Sequence, residues 1–349
     1  MKGLVFNGPR DVRYEDFDDP TLVSPNSALV RVELCSICGS DLHIYHGDHV
    51  GSRDYGADAP RFCVGHEFSG EVVEVGSDVH TVSVGDDVFA AGGSGCGRCR
   101  ECRSGNGFAC KSLNAFGLSP KLNGGQAEYV CVPNADLVLR RKPEGVGDEQ
   151  CMLLTDAMAT AHFGVTRTGL VAGDSVAVVG LGPIGLIGVE LALLFGASRV
   201  FALDPVAERR AHAERLGATA LPPGADAEGE ILEATGGGVH RVFEASGAKS
   251  AVESTVRIAG RGATASYIGL PQPDVVLPLG LLLYKDIAIR AGVASVTGQW
   301  PHLIPLLQSG RLRAEGLFSH RMPLSQGTEA YRRFDAREDG VVKIMLEAG

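Results

Sequence analysis

Ser175-Val176-Ala177-Val178-Val179-Gly180-Leu181-Gly182-Pro183-Ile184-Gly185 decides how this chain folds. Its first five residues form a short apolar run bounded by a turn signal, the pattern of a buried strand. The glycines follow at once, and each has a physical use. Gly180 permits a tight turn, Gly182 lets the backbone approach a pyrophosphate, and Gly185 lets the next helix pack closely on the strand. Residues 186–196 are apolar and helix-like, and Arg199-Val200-Phe201-Ala202-Leu203-Asp204 follows as a second strand ending in an acid. Strand, glycine turn, helix, strand and acid make a dinucleotide-binding unit, where a lone Gly-x-Gly-x-x-Gly would be a weak sign. Phosphate charge would sit at the helix N-terminus beside Pro183 and Ile184. Asp204, nineteen residues past Gly185, is placed to accept hydrogen bonds from ribose hydroxyls and to repel a 2′-phosphate, so NAD is expected over NADP. The alternation continues through 241–247, 263–269 and 287–292 as later strands of a doubly wound parallel sheet.

Outward from that unit toward the N-terminus the pattern changes. Residues 1 to about 150 carry short alternating runs (28–34, 70–75, 127–132) separated by Gly, Pro and Asp, which read as half-buried strands of an irregular β domain. Within it, Cys38-Gly39-Ser40-Asp41-Leu42-His43 packs a thiol, a hydroxyl, a carboxylate and an imidazole into six residues, and Gly65-His66-Glu67 adds a second imidazole with a carboxylate attached. Thiolate and imidazole suit zinc, and a catalytic zinc takes three protein ligands and leaves a fourth position open. Asp156, in Leu154-Thr155-Asp156-Ala157, is the candidate third ligand, since one thiolate and one carboxylate balance the 2+ charge. Asp41 reads as the carboxylate that orients a metal-bound imidazole.

Cys96, Cys99, Cys102 and Cys110 place four thiols within fifteen residues. Such a set can close a tetrahedral zinc with no open position, and pairs three residues apart are cramped for disulfides. Two zinc ions per chain are expected, the second folding a lobe that has few apolar residues. His46 and His49 recur with His43 at three-residue spacing and read as exposed residues of a loop over 46–60, placed to cover a substrate cleft. Cys35 reads as a buried thiol, and Cys63, Cys131 and Cys151 as core or surface cysteines.

The 349 residues suffice for two domains with real cores. A net charge of −10 without clustered Lys and Arg argues against nucleic acid. The run Leu4-Val5-Phe6 is too short for a signal-peptide core, and the apolar stretch 176–189 is too short and too broken by Gly and Pro for a membrane span. The chain is therefore expected in the cytoplasm, where its nine cysteines stay reduced and serve as metal ligands and core residues.

Cys-Gly-Ser-Asp-x-His at 38–43, Gly-His-Glu at 65–67, the Cys quartet at 96–110 and Gly-x-Gly-x-x-Gly at 180–185, in that order over essentially the whole chain, resemble the zinc-dependent alcohol dehydrogenases of the medium-chain dehydrogenase/reductase family. The resemblance implies an α/β chain. A GroES-like irregular β catalytic domain with a structural zinc lobe would span 1–152, a Rossmann NAD-binding domain 153–290, and a return to the catalytic domain 291–349. It implies that zinc on Cys38, His66 and Asp156 lowers the pKa of a substrate alcohol, that Ser40 takes its proton and His43 releases it by way of the nicotinamide ribose, and that hydride passes to NAD. Glu67 would sit behind the metal, Arg209 would contact the ribose, Gly269, Gly292 and Val293 would lie along the nicotinamide half, and Lys343 would reach the cofactor phosphates. Family members assemble through the cofactor domain, so a homotetramer or homodimer is expected. Aspartate at 156, where many members carry Cys or Glu, resembles bacterial secondary-alcohol dehydrogenases and glutathione-independent formaldehyde dehydrogenases. The small segment Ala90-Ala91-Gly92-Gly93-Ser94-Gly95 stands where members that oxidise small primary alcohols often carry a bulky aromatic. The expected activity is oxidation of a secondary or bulky alcohol to a ketone or aldehyde. A polyol or amino-sugar dehydrogenase and an aldehyde dismutase are the enzymatic alternatives, and a non-catalytic zinc- and NAD-binding protein is the alternative of another class.

Overall fold

The computed structural model describes residues 1–48, 60–271, 275–338 and 340–349. His49 and most of the expected 46–60 loop lie outside the described residues. The chain divides into two compact units, the first built from 1–156, 295–308 and 315–349, the second from 157–294 and 309–314.

The first unit is built on the strand Ala28–Ser36, in which fully buried residues alternate with half-buried ones along most of its length, so that one face belongs to the core. It pairs antiparallel with Glu67–Val75 on one side and with the C-terminal strand Lys343–Glu347 on the other. The sheet runs Leu139–Arg141, Asp87–Ala90, Glu67–Val75, Ala28–Ser36, Lys343–Glu347, Phe318–Pro323, with Tyr129–Val132 added beside Ala28–Ser36. A smaller three-stranded sheet joins Asp11–Asp16, Lys2–Gly8 and Phe62–Cys63. The helix Gly39–His46 starts at Cys38, where the Asp41 carboxylate accepts the Cys38 backbone N–H at 2.9 Å, and it ends at Gly47 in the left-handed conformation. His46 thus belongs to a helix and not to a loop. Its Nε2 lies 2.6 Å from Asp335 Oδ1, and that pairing orders it.

In the second unit six parallel strands, β1 (Ser175–Val179), β2 (Arg199–Leu203), β3 (Thr219–Leu221), β4 (Val239–Glu244), β5 (Ala259–Tyr267) and β6 (Ala288–Ala291), lie in the order 3-2-1-4-5-6. All five residues of β1 are buried, as a central parallel strand requires. The core gathers Val179, Phe201, Leu203, Ile231, Val242 and Ile258. Gly180 turns at φ +88°, which an L side chain rarely adopts, and a Cβ at Gly185 would lie 1.8 Å from the Gly180 carbonyl oxygen. The helix begins at Pro183, three residues earlier than the apolar run alone indicates, because Gly182 supplies its N-cap and proline is at home in the first turn.

The compact units divide at 156/157 and 294/295, where the sequence reading has 152/153 and 290/291, and the second unit also takes residues 309–314. The first unit runs on to Asp156, because the helix Asp148–Leu154 buries Cys151, Met152, Leu153 and Leu154 and packs on the strands Ala28–Ser36 and Glu67–Val75. Residues 309–314 belong to the second unit, because the Glu190 carboxylate accepts the backbone N–H groups of Arg313 at 2.7 Å and Ala314 at 3.0 Å. Among the described residues no helix is long and apolar enough to cross a membrane. Gly185→Ala should lower the stability of the second unit by about 1–3 kcal/mol through overpacking against Gly180. Denaturant melts of that variant are the check, and an unchanged midpoint would mean that the turn relaxes freely.

Candidate active site

Cys38, His66 and Asp156 converge although they come from a helix start, a strand approach and a helix junction. Their ligand atoms all lie within 4.8 Å of one another. Cys38 Sγ is 3.3 Å and His66 Nε2 3.5 Å from Asp156 Oδ2. Behind them Asp41, only 1% exposed, faces His66 Nδ1 through Oδ1 at 3.0 Å, which leaves Nε2 for the site. Burial would lower the His66 pKa, but Asp41 and Asp156 raise it well above the ordinary imidazole value. Burial, with the charges of Asp156 and Glu67, pushes the Cys38 thiol up. A negative field that draws a proton this strongly also draws a divalent cation, so a thiolate, an imidazole and a carboxylate here fit zinc.

Ser40 and His43 lie on the helix that Cys38 starts. Ser40 Oγ is 4.0 Å from Cys38 Sγ, and His43 Nδ1 is 3.1 Å from Asp48 Oδ2, with its side chain about one-third exposed. Glu67 is fully buried. Its Oε2 accepts from Ser36 Oγ at 2.5 Å and from Lys343 Nζ at 2.6 Å, while Oε1 has no hydrogen-bond partner among the described residues. Lys343, expected at the cofactor phosphates, is paired here with Glu67. Its side chain is 2% exposed, and although burial lowers its pKa, the Glu67 charge carries it above the usual lysine value.

The four remaining metal-type cysteines also converge, with their sulfurs within 4.8 Å of one another. Backbone N–H groups point at the sulfurs: Cys96 N to Cys110 Sγ at 3.3 Å, Cys99 N to Cys96 Sγ and Cys102 N to Cys99 Sγ at 3.4 Å. The N–H groups of Arg98 and Cys99 pull Cys96 down to about 6. Cys99 is pushed up to about 12, because burial and the neighbouring thiols outweigh the Cys102 N–H. Such a set cannot ionise together without a cation, and zinc is the cation that its geometry suits. All nine cysteines are free thiols. Cys35, Cys63 and Cys151 are buried and Cys131 is half-buried, and none of them joins either cluster.

In the second unit a Cβ at Gly182 would meet nothing within 4 Å. No protein atom demands glycine there, so the open space above the N-terminus of Pro183–Leu194 fits a phosphate-bearing ligand. Asp204, at the end of β2, is 4% exposed. Its Oδ2 accepts the Leu181 N–H at 2.7 Å and its Oδ1 the Val206 N–H at 2.8 Å, so it braces the glycine turn and keeps a lone pair on each oxygen. Arg209 Nη1 stands 3.9 Å from Asp204 Oδ2, whereas Arg210 donates to the Asp204 and Pro205 carbonyls. Gly269 and Gly292 follow β5 and β6, and their N–H groups reach the Glu244 and Tyr267 carbonyls at 3.4 and 3.3 Å. Val293 is exposed.

Comparison with known proteins agrees with both halves. The pattern of the Alcohol dehydrogenase GroES-like domain matches residues 24–143, and that of the Zinc-binding dehydrogenase family matches residues 183–309. The probable zinc-binding alcohol dehydrogenase of Mycobacterium tuberculosis is 37% identical over 99% of this chain and 88% of its own. The chain belongs to the zinc-dependent alcohol dehydrogenases of the medium-chain dehydrogenase/reductase family. Alcohol dehydrogenase TADH from Thermus sp. ATN1 superposes with a TM-score of 0.90 at 34% identity, covering 99% of each chain. The 2R,3R-butanediol dehydrogenase from Bacillus subtilis does so with a TM-score of 0.87 at 28% identity, covering 100% of this chain and 99% of that one. The fold is thus GroES-like plus Rossmann α/β, and the activity class is zinc-dependent, nicotinamide-linked oxidoreduction of alcohols.

In this alcohol dehydrogenase a buried polar chain escaped the sequence reading. Tyr331 Oη donates to Gln126 Oε1 at 2.9 Å, and Gln126 Nε2 donates to the Ser36 carbonyl at 3.0 Å, just before the Cys38 helix. No local spacing announces contacts between residues 90 and 205 positions apart. Asp41 remains the most direct support of the ligands. Asp41→Ala should weaken zinc at the Cys38 cluster by roughly 10–100-fold, as loss of a ligand-orienting partner does elsewhere, and should leave the Cys96 cluster loaded. Chelator competition that follows the two release phases would show this, and equal loss from both sites would point to general unfolding instead.

Proposed function

We propose that this chain is an NAD-dependent alcohol dehydrogenase with two zinc ions, acting on secondary or bulky alcohols. The observation that carries the reading is the convergence of Cys38, His66 and Asp156, with Asp41 behind the imidazole. When bound there, zinc supplies a Lewis acid that lowers the pKa of an alcohol, and NAD supplies the hydride acceptor. Cys38, His66 and Asp156 hold the metal, and Cys96, Cys99, Cys102 and Cys110 hold the second one. Ser40 Oγ, beside Cys38 Sγ, would accept the alcohol proton while giving up its own hydroxyl proton toward His43. His43, partly exposed and 3.1 Å from Asp48, would receive that proton and, being open to solvent, pass it to water. Glu67, held by Ser36 and Lys343, keeps for tuning the metal an Oε1 that has no hydrogen-bond partner among the described residues.

Preference for NAD rests on Asp204, whose carboxylate under the Gly180 turn disfavours a 2′-phosphate. The substrate reading rests on Gly92, which backs onto the metal-binding imidazole. A Cβ there would lie 3.2 Å from His66 Cδ2, so the residue keeps the space beside His66 free of side chain. The butanediol-dehydrogenase relative acts, by its name, on a secondary alcohol, which agrees with this reading. The expected result is NADH formation from secondary or cyclic alcohols well above that from ethanol, and little with NADP. Gly92→Phe should reverse the substrate order. A strict ethanol preference in the wild type would overturn the substrate reading, polyol turnover would favour the polyol alternative, and no turnover from protein holding two zincs would favour the non-catalytic one.

Assembly through the second unit is supported by its sheet edge. All four residues of β6 are exposed, and Leu279, Leu283 and Tyr284 beside it are 66%, 75% and 69% exposed. An uncovered edge strand with apolar neighbours suits pairing with a second copy. Leu283→Glu should convert the oligomer to monomer in light scattering, and a wild type that is already monomeric would refute this assembly.

A further inference from the structure

Glu244 is the last residue of β4, next to the point where the strand order turns from β1 to β4, and ligands of doubly wound sheets bind at such switch points. It is 0% exposed, and neither zinc cluster includes it. Its Oε1 accepts three hydrogen bonds, from Ser246 N at 2.8 Å, Ser246 Oγ at 2.5 Å and Gly247 N at 2.9 Å. Its main-chain carbonyl accepts Ile268 N at 3.0 Å and Gly269 N at 3.4 Å.

The loop gathered in this way touches the two flanking loops. A Cβ at Gly180 would lie 2.6 Å from Ser246 Cβ, and one at Gly247 would lie 1.9 Å from the Leu270 carbonyl. A Cβ at Gly269 would lie 2.2 Å from Gly247 N and 2.8 Å from Glu244 Oε2, the oxygen that has no hydrogen-bond partner among the described residues. The turns after β1, β4 and β5 are thus stacked without side-chain spacers, and one carboxyl sets the middle one. If that acceptor is lost, two backbone N–H groups lose their partner and the loop can shift against Gly180 and Gly269.

We propose that Glu244 is a positioning residue whose buried carboxyl fixes the three loops at the C-terminal ends of β1, β4 and β5, and that affinity for the nicotinamide dinucleotide depends on it. The inference rests on the reading that NAD binds at this edge. Its reach is to the cofactor alone, because the metal ligands belong to the other unit.

The test is fluorescence titration of NADH, with NADPH in parallel, into wild type, Glu244→Leu, Glu244→Gln and Glu244→Asp, together with zinc content and thermal melting. Glu244→Leu should weaken NADH binding by at least about tenfold, the factor that roughly 1.4 kcal/mol represents. Glu244→Gln keeps an acceptor for Ser246 and Gly247 and should stay within about threefold of wild type. Wild-type NADH affinity in a folded, two-zinc Glu244→Leu protein would overturn the inference, and so would a Gln variant as weak as the Leu variant. Should the Leu variant fail to fold, Glu244→Asp decides, because its shorter side chain withdraws the acceptor. Several-fold weaker binding would support the role, and unchanged binding would refute it. A wild type that binds neither nucleotide would overturn the cofactor reading and this inference with it, a result distinct from a wild type that binds and variants that are unaffected.

Discussion

One buried carboxylate, Asp41, orders two metal ligands that the chain supplies from separate segments. Oδ2 accepts the Cys38 N–H and so fixes where the helix Gly39–His46 begins, and Oδ1 faces His66 Nδ1 across 25 positions of sequence. With the ring proton held at Nδ1, the Nε2 lone pair has one direction in which to point. Burying an ion costs several kcal/mol unless its lone pairs are met, and here both oxygens are met by groups that the site needs fixed. The helix start, the thiol position and the imidazole tautomer therefore depend on one another.

The next layer is the Glu67–Lys343 pair, in which both groups are almost wholly inaccessible. Such a pair is weak evidence for stability, but it is a strict register mark. The strand Lys343–Glu347 pairs with Ala28–Ser36 through Met345 opposite Ser36, and Ser36 itself donates to Glu67. A slip of one residue would turn the Lys343 side chain to the other face and leave Glu67 buried with one partner fewer. Since Glu67 follows His66 directly, the backbone that carries a metal ligand is pinned by the far end of the chain.

What the sequence made legible was local. Strand, glycine turn and helix at 175–194 are written in adjacent residues and the Cys96–Cys110 quartet in short spacings, whereas Cys38, His66 and Asp156, spread over 118 positions, were legible only through their residue types and the family resemblance. Contacts between distant segments carry no such signal. Lys343 meets Glu67 across 276 positions and His46 meets Asp335 across 289, and neither partner can be read from the residues beside it. Glu190, which holds residues 313 and 314 to the second unit, looks in sequence like any polar residue on a helix. The return of 309–314 to the second unit accordingly has no local signal in the sequence.

Asp204 and Glu244 show one device used twice. Loops at the C-terminal ends of parallel strands carry N–H groups that the ladder no longer satisfies, and a carboxylate is an acceptor-only group that can gather several of them. Placed at a dinucleotide site, however, it also sets negative charge near negative phosphates. Both acids lie under the backbone, 4% and 0% exposed, with N–H dipoles directed at their oxygens. For Glu244, desolvation outweighs its three donors and raises its pKa, so burial moves it toward the neutral form. The burial that makes the carboxyl a firm anchor for its loop thus also lessens its repulsion of the anion that the loop serves.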